Sequence, residues 1–296
     1  MTMDVTAVIC YQLGTAKMLD VCLASLVRHT PASLLRVLLV YRDEGLAFDA
    51  DGCVAQAREH FEVELRPVAF RGPDSGSRVH GRLLDAVAST VLTPYVLTLD
   101  SDCFPVADDW LEGLLGLLDD TTKVVGILHP WAPPPPWIAE KSMELRIRSQ
   151  HCWWNTHVAC QLLERAWLTE LAVPYNGGDD TGLLVPLETR HREKLVKGYR
   201  PTLCPRPDGD FDAEFNRDVC VVYGDAVYHH GGYSRKTVHG DRDVMKEPFD
   251  WARERLFEEC GAEFLLEPDN CYRYVFDREE SVAADKMERI FGLGPR

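Results

Sequence analysis

Three short segments of the 296-residue chain carry side chains that could do chemistry. In Leu99-Asp100-Ser101-Asp102-Cys103-Phe104-Pro105, two carboxylates stand one residue apart directly after an apolar run. Such a pair in a turn can share a hydrated hard cation, which prefers oxygen ligands, and that ion could bridge both phosphates of a nucleoside diphosphate. Asp-x-Asp by itself is common in an acidic protein and usually marks a solvated turn. Its place after a strand, where open α/β sheets collect ligands, points to a site.

The second segment is Asn176-Gly177-Gly178-Asp179-Asp180-Thr181-Gly182. Adjacent carboxylates behind two glycines suit the start of a helix, where terminal amides favour negative charge. A plain helix cap uses the same residue types. The third segment is Val227-Tyr228-His229-His230-Gly231-Gly232-Tyr233-Ser234-Arg235-Lys236. A neutral imidazole, from His229 or His230, can complete a manganese or magnesium shell otherwise made of oxygen. Arg235 and Lys236 could clamp a diphosphate as a loop closes. Trp131, Trp137, Trp153 and Trp154 flank the prolines at 133–136, and their indoles could stack on sugar rings or simply pack.

The elements that must position these groups alternate along the chain. Apolar, β-branched runs at 5–10, 37–41, 61–68, 95–99 and 123–128 read as strands. Between them, helical spacing appears at 17–29, 54–60 and 82–89, with Pro31 ending the first helix. Another strand and helix fall between Cys152 and Leu171. Strands alternating with helices predict a parallel sheet built by crossovers, with ligands at the carboxyl ends of its strands. That rule selects residues 11–14, 42–45 and 100–105. The proline run predicts a stiff surface segment between two halves of one domain. Helical spacing returns at Phe249, Ala252, Leu256 and Phe257, and again at 281–291.

Composition narrows the classes. Lys and Arg total 32 against 47 Asp and Glu, a formal charge of -15, which argues against a dedicated nucleic-acid binder. A divalent ion can still supply the local positive charge that a diphosphate needs. No apolar run reaches the ~20 residues of a membrane span. The start, Met1-Thr2-Met3-Asp4, lacks the pattern of a secretory leader, so the expectation is a cytoplasmic protein. The ten cysteines form no Cys-x-x-Cys pair and read as reduced, buried thiols.

Residues 6–29, the turn after Val40, and His80-Gly81-Arg82 leading into 95–105 resemble the nucleotide-binding half of family 2 glycosyltransferases. The resemblance covers roughly residues 5–235. It implies a GT-A fold: an α/β, Rossmann-like, mostly parallel central sheet flanked by helices. One large domain would span residues 1–240, with a nucleotide-sugar-binding half over 1–128 and an acceptor-facing half over 129–240. A C-terminal helical extension would follow over 241–296.

The resemblance also implies roles. Asp102 would bind the metal directly, and Asp100 would lie nearer the ribose or donor sugar. Asp43 or Glu44 takes the place of an acidic residue that reads base or ribose, although Arg42-Asp43-Glu44-Gly45 departs from the usual run. His80 and Arg82 belong to the donor-binding segment. Asp180 matches the general base and Asp179 the acid before it, with Asp-Asp in place of Glu-Asp. His229 fits His-x-x-Gly-x-Ser as a further metal ligand, with His230 adjacent. The implied activity moves a sugar from a nucleotide-diphosphate sugar, with Mn2+ or Mg2+, to a sugar, small-molecule or peptide acceptor, with inversion. A nucleotidyltransferase is the alternative enzyme, but residues 10–17 hold one glycine and one lysine, too few for a triphosphate loop. A GT-A scaffold that binds without turnover is the non-enzymatic alternative.

Overall fold

The apolar runs become strands with both faces covered. In the computed structural model the described residues are 4–70, 77–130, 154–177, 181–203, 221–230, 244–246 and 272–274. Along β1 (Val5–Tyr11), Val5, Ala7, Ile9 and Tyr11 enter one core while Val8 enters the other. In β2 (Leu35–Arg42), Leu35, Val37 and Leu39 take the first face and Leu38 and Val40 the second. Two-sided burial explains why these strands read as continuous apolar runs rather than alternating ones.

With β3 (Val63–Val68) and β4 (Tyr95–Asp100) they form the parallel half of a seven-stranded sheet ordered β3-β2-β1-β4-β7-β6-β8. β7 (Trp154–Glu164) runs antiparallel between β4 and β6 (Thr122–Pro130), and β8 (Leu195–Tyr199) lies parallel to β6. The sheet is therefore mostly parallel and flanked by helices, as the resemblance implies, while the antiparallel β7 departs from the parallel sheet that the alternation of elements predicts. On one face lie α1 (Ala16–His29), α2 (Asp51–Arg58) and α4 (Trp110–Leu115). On the other lie α3 (Ser77–Val87), α5 (Arg165–Leu171) and α6 (Leu184–His191). Full burial of a side chain such as Leu19 or Leu26 of α1 stabilises the fold by about 1.5–3 kcal/mol.

A smaller antiparallel sheet, β5-β11-β10-β9, joins the first face. It comprises β5 (Cys103–Pro105), β9 (Pro201–Leu203), β10 (Val221–Tyr223) and β11 (Val227–His229). Short strands β12 (Val244–Lys246) and β13 (Tyr272–Tyr274) pair antiparallel. The helical spacing at 249–257 and 281–291 and the proline run at 133–136 lie outside the described residues. No helix among the described residues is long and apolar enough to cross a membrane.

Two helices differ in their bounds from the sequence reading. α3 begins at Ser77, not at 82, because Val79 extends the stripe of Leu83, Leu84 and Val87 by one turn. Gly81, a poor helix former, masks that turn in the sequence. α2 starts at Asp51 rather than 54, and residues 59–60 form a turn in which His60 N–H bonds Ala57 O at 3.1 Å.

Candidate functional site

Parallel register brings three strand ends to one rim. Cys10 of β1 stands opposite Asp100 of β4, and Tyr11 opposite Tyr41 of β2. After Asp100 the chain turns at Ser101-Asp102 and leaves the main sheet as β5. β11 pairs with β5 so that His229 faces Cys103, and the His230 amide donates to the Asp102 carbonyl at 2.8 Å. Local pairing thus carries a histidine from residue 229 back over the acidic turn.

Asp100, Asp102 and His229 each offer one ligand atom, all within 4.8 Å of one another. His229 Nε2 is 3.8 Å from Asp102 Oδ1, and their side chains are 3% and 13% exposed. Asp100 also meets α3, where His80 Nε2 is 3.1 Å from its Oδ1. Two ionised carboxylates at this spacing repel by roughly 3 kcal/mol at an effective dielectric near 20. A divalent cation would reverse that penalty, and a set of two carboxylates and one imidazole fits manganese or magnesium.

Among the described residues, no cysteine joins this group of ligand atoms. Cys22 donates to the Cys103 carbonyl at 3.5 Å, and burial, with the charges of Asp102 and Asp100, pushes its thiol well up. Burial and the Asp100 charge do the same to Cys10. Burial of this kind disfavours the thiolate, the form that acts as nucleophile or metal ligand.

Beside the cluster, the rim is walled with aromatics. Phe48 packs on Tyr11 at 5.6 Å and on Tyr41 at 5.0 Å between ring centroids. Asp49 ties the first loop down: it accepts from the Tyr11 hydroxyl at 2.6 Å and the Gly14 amide at 2.8 Å. Gly14 has φ 91°, a left-handed conformation that glycine adopts without strain.

The remaining sequence-selected residues are placed as follows. Asp43 is exposed and accepts from the Gly45 amide at 3.0 Å, closing the turn after β2. Glu44 is exposed and 3.6 Å from Arg42 Nε. The Arg82 and Arg42 guanidinium groups lie over the Phe70 ring, at 4.7 and 5.1 Å. His230 is fully buried, but its Nδ1 shares a 2.9 Å hydrogen bond with the Tyr228 hydroxyl, outside the carboxylate–histidine group. Asp179, Asp180, Arg235, Lys236, Trp131, Trp137 and Trp153 lie outside the described residues. Trp154 opens β7, paired with Pro130.

Both flanks of the Asp179-Asp180 segment are anchored. Asp85 of α3 accepts from the amides of Tyr175 at 2.6 Å and Asn176 at 3.1 Å. One turn earlier, a Cβ on Gly81 would fall 2.7 Å from Asn176 Cα, so Asn176 lies directly on the helix. On the far flank, Gly182, at φ 72°, donates to the Tyr175 carbonyl at 2.8 Å. Sequence reasoning missed Asp49, Asp85 and His157, whose ring centroid lies 5.4 Å from that of His229. Asp85 and His157 belong to no spacing motif, and Asp49 opens a second Asp-x-Asp, Asp49-Ala50-Asp51, that does not directly follow a strand, so the tertiary fold is what reveals their neighbours.

No protein-family profile and no curated protein matches the sequence. Among solved structures, the chain is similar to a mannosyltransferase from Pyrobaculum calidifontis in complex with GDP-Man and Mn2+. Identity there is 18%, over 58% of this chain and 47% of that one, with a TM-score of 0.39. This chain thus spans about half the length of that enzyme. It is also similar to S. aureus TarS 1–349, at 12% identity over 97% of this chain and 70% of that one, TM-score 0.46. A third likeness is to glucosyl-3-phosphoglycerate synthase from Mycobacterium tuberculosis with Mn2+, UDP and glucosyl-3-phosphoglycerate. It has 13% identity over 69% of this chain and 72% of that one, TM-score 0.45. These likenesses are loose, and the functional reading rests on the residues of the site.

Proposed function

We propose that the chain is a GT-A-type, metal-dependent glycosyltransferase that takes its sugar from a nucleotide-diphosphate donor. The observation that carries this reading is the Asp100, Asp102 and His229 group at the carboxyl end of β4, beside the aromatic rim of β1 and β2. Asp102 and His229 would hold a divalent ion, Mn2+ or Mg2+, with Asp100 held by His80 at its edge. When bound, such an ion supplies positive charge against the charge that develops on a departing diphosphate.

The protein's own contribution is placement. Tyr41 and Phe48, both half-buried, would offer a face for the base, and Asp49 holds the loop that would cover it. Asp180, with Asp179 before it, is proposed to take the proton of the acceptor hydroxyl, which would invert the anomeric centre. The acceptor is proposed to be a sugar, small molecule or peptide that enters beside the Asp179-Asp180 segment.

Calorimetry with UDP, GDP and TDP, with manganese and with EDTA, tests the reading. At least one diphosphate should bind in manganese and lose most of its affinity in EDTA, and Asp102→Ala should lose metal and nucleotide together. Equal affinity with and without the ion would reject the metal-bridged site.

A further inference from the structure

The loop after β1 and the loop after β2 meet on one carboxylate. Residues 43–47 are all exposed, while the residues on either side of them are held. On one side, Tyr41 near the end of β2 stands opposite Tyr11 of β1. On the other, Asp49 comes just before α2, whose Val54 and Ala57 are buried in the first core. Ala50 is buried as well, and its carbonyl accepts the Val54 amide at 3.2 Å. Asp49 therefore projects from a docked helix end.

Its two oxygens are divided between two partners. Oδ1 accepts from the Tyr11 hydroxyl at 2.6 Å and Oδ2 from the Gly14 amide at 2.8 Å. Tyr11 is 2% exposed, so without Asp49 its hydroxyl would lose its acceptor inside the core. Burial, with the carboxylate beside it, pushes that hydroxyl well up and keeps it a donor. Gly14 lies in a turn where the Thr15 amide and hydroxyl both donate to the Gln12 carbonyl, at 3.2 and 2.7 Å, and α1 starts from there. Phe48, the chain neighbour of Asp49, packs edge-on against Tyr11 and tilted against Tyr41. One side chain thus sets the turn after β1 and, through the chain, the Phe48 ring.

β1 separates β2 from β4, with Cys10 opposite Asp100 and Tyr11 opposite Tyr41. Two strand spacings of about 4.8 Å put Tyr41 about 10 Å across the sheet from Asp100, the scale of one nucleoside. A base resting on Tyr41 and Phe48 would leave its phosphates at the carboxylate–histidine group. We propose that Asp49 is a positioning residue for the donor nucleobase. It fixes the Gly14 turn and the Phe48 ring in the arrangement that receives the base, through its two hydrogen bonds and without touching the nucleotide. This rests on the reading of the site as a nucleoside-diphosphate centre.

Three variants separate the bonds from the charge. Asp49→Ala removes both bonds. Asp49→Asn can keep both, its carbonyl accepting from Gly14 and its NH2 donating to the Tyr11 oxygen, because a hydroxyl serves as donor or acceptor. Tyr11→Phe keeps the ring on Phe48 and breaks one bond. For wild type and each variant, calorimetry in saturating manganese measures UDP, GDP, TDP and inorganic pyrophosphate, which has no base. The EPR signal of the free ion measures manganese alone. In Asp49→Ala, affinity for the nucleotide that wild type binds best should fall about tenfold through lost preorganisation, with pyrophosphate and manganese within about twofold. Tyr11→Phe should show the same selective loss, smaller in size, and Asp49→Asn should largely recover. A loss in Asp49→Asn equal to that in Asp49→Ala overturns the assignment in favour of direct contact by the charge. Parallel losses of nucleotide and pyrophosphate, or no selective loss in either Asp49→Ala or Tyr11→Phe, overturn it as well. If wild type binds no nucleoside diphosphate in manganese, the reading of the site itself fails and this assignment fails with it. If wild type binds pyrophosphate as tightly as every nucleotide, the metal centre stands and only this assignment falls.

Discussion

The two halves of the seven-stranded sheet are built differently. Across β3, β2, β1 and β4 every register is unbroken, whereas both pairings of β6, with β7 and with β8, contain a shift. The unbroken half lines its strand ends into one rim, which carries Tyr11, Tyr41 and Asp100. The interrupted half brings backbones together instead: Gly126 accommodates the Cys160 carbonyl, and a Cβ on Gly198 would fall 1.8 Å from the Gly126 oxygen. Regular pairing aligns strand ends into a rim, while irregular pairing presses backbones together and turns single side chains, as it turns His157 toward His229.

If the halves divide the work in this way, damage to each should read out differently. The largest effect is expected from Asp180→Asn, which should cut transfer by about a hundredfold or more while diphosphate binding at the rim persists. Asp179→Asn should cost less. Turnover assays paired with calorimetry decide this, and full activity in Asp180→Asn would remove the base from that position.

Next comes the pair at the end of β11. His229→Ala should lower manganese affinity at least about tenfold, and His230→Ala much less, because His229, not His230, has its ring nitrogen within ligand reach of Asp100 and Asp102. A manganese titration of both variants reads the ranking, and the reverse order would move the ligand to His230.

The smallest pair tests the regular half against the interrupted half directly. Gly126→Ala should destabilise by about 1–3 kcal/mol, because its methyl meets fixed backbone. Gly52→Ala, in α2 with nothing within 4 Å, should stabilise by about 0.5–1 kcal/mol. Urea denaturation of both compares them on one scale. Equal shifts would mean that the interrupted half is as tolerant as the parallel one.

The parallel half was legible from residue types alone. Val37 to Tyr41 and Tyr95 to Leu99 are apolar on both faces, and the loops that follow them are polar, so strand ends and candidate site residues coincide. Asp100, Asp102 and His229 were visible as motifs, and the fold supplies the β5–β11 pairing that brings them together. His157 was not legible. Its position depends on a register shift against β6, and nothing in Thr156 to Gln161 distinguishes a bulged strand from a straight one. Asp85 was hidden for a related reason, since its partners are backbone amides 90 and 91 residues away. Main-chain donors leave no signature in side-chain spacing.

α3 holds Asp100 through His80 and the 175–176 backbone through Gly81 and Asp85, all within a single 11-residue helix. Contacts that share one short helix form one cooperative opening unit, since a helix this short gains its stability from the surfaces it docks against. The amides of Tyr175 and Asn176 should therefore exchange with solvent at the same opening free energy as those in the middle of α3. A ligand that steadies Asp100 would slow exchange at all of these amides together, although no covalent segment shorter than 75 residues joins Asp100 to Tyr175.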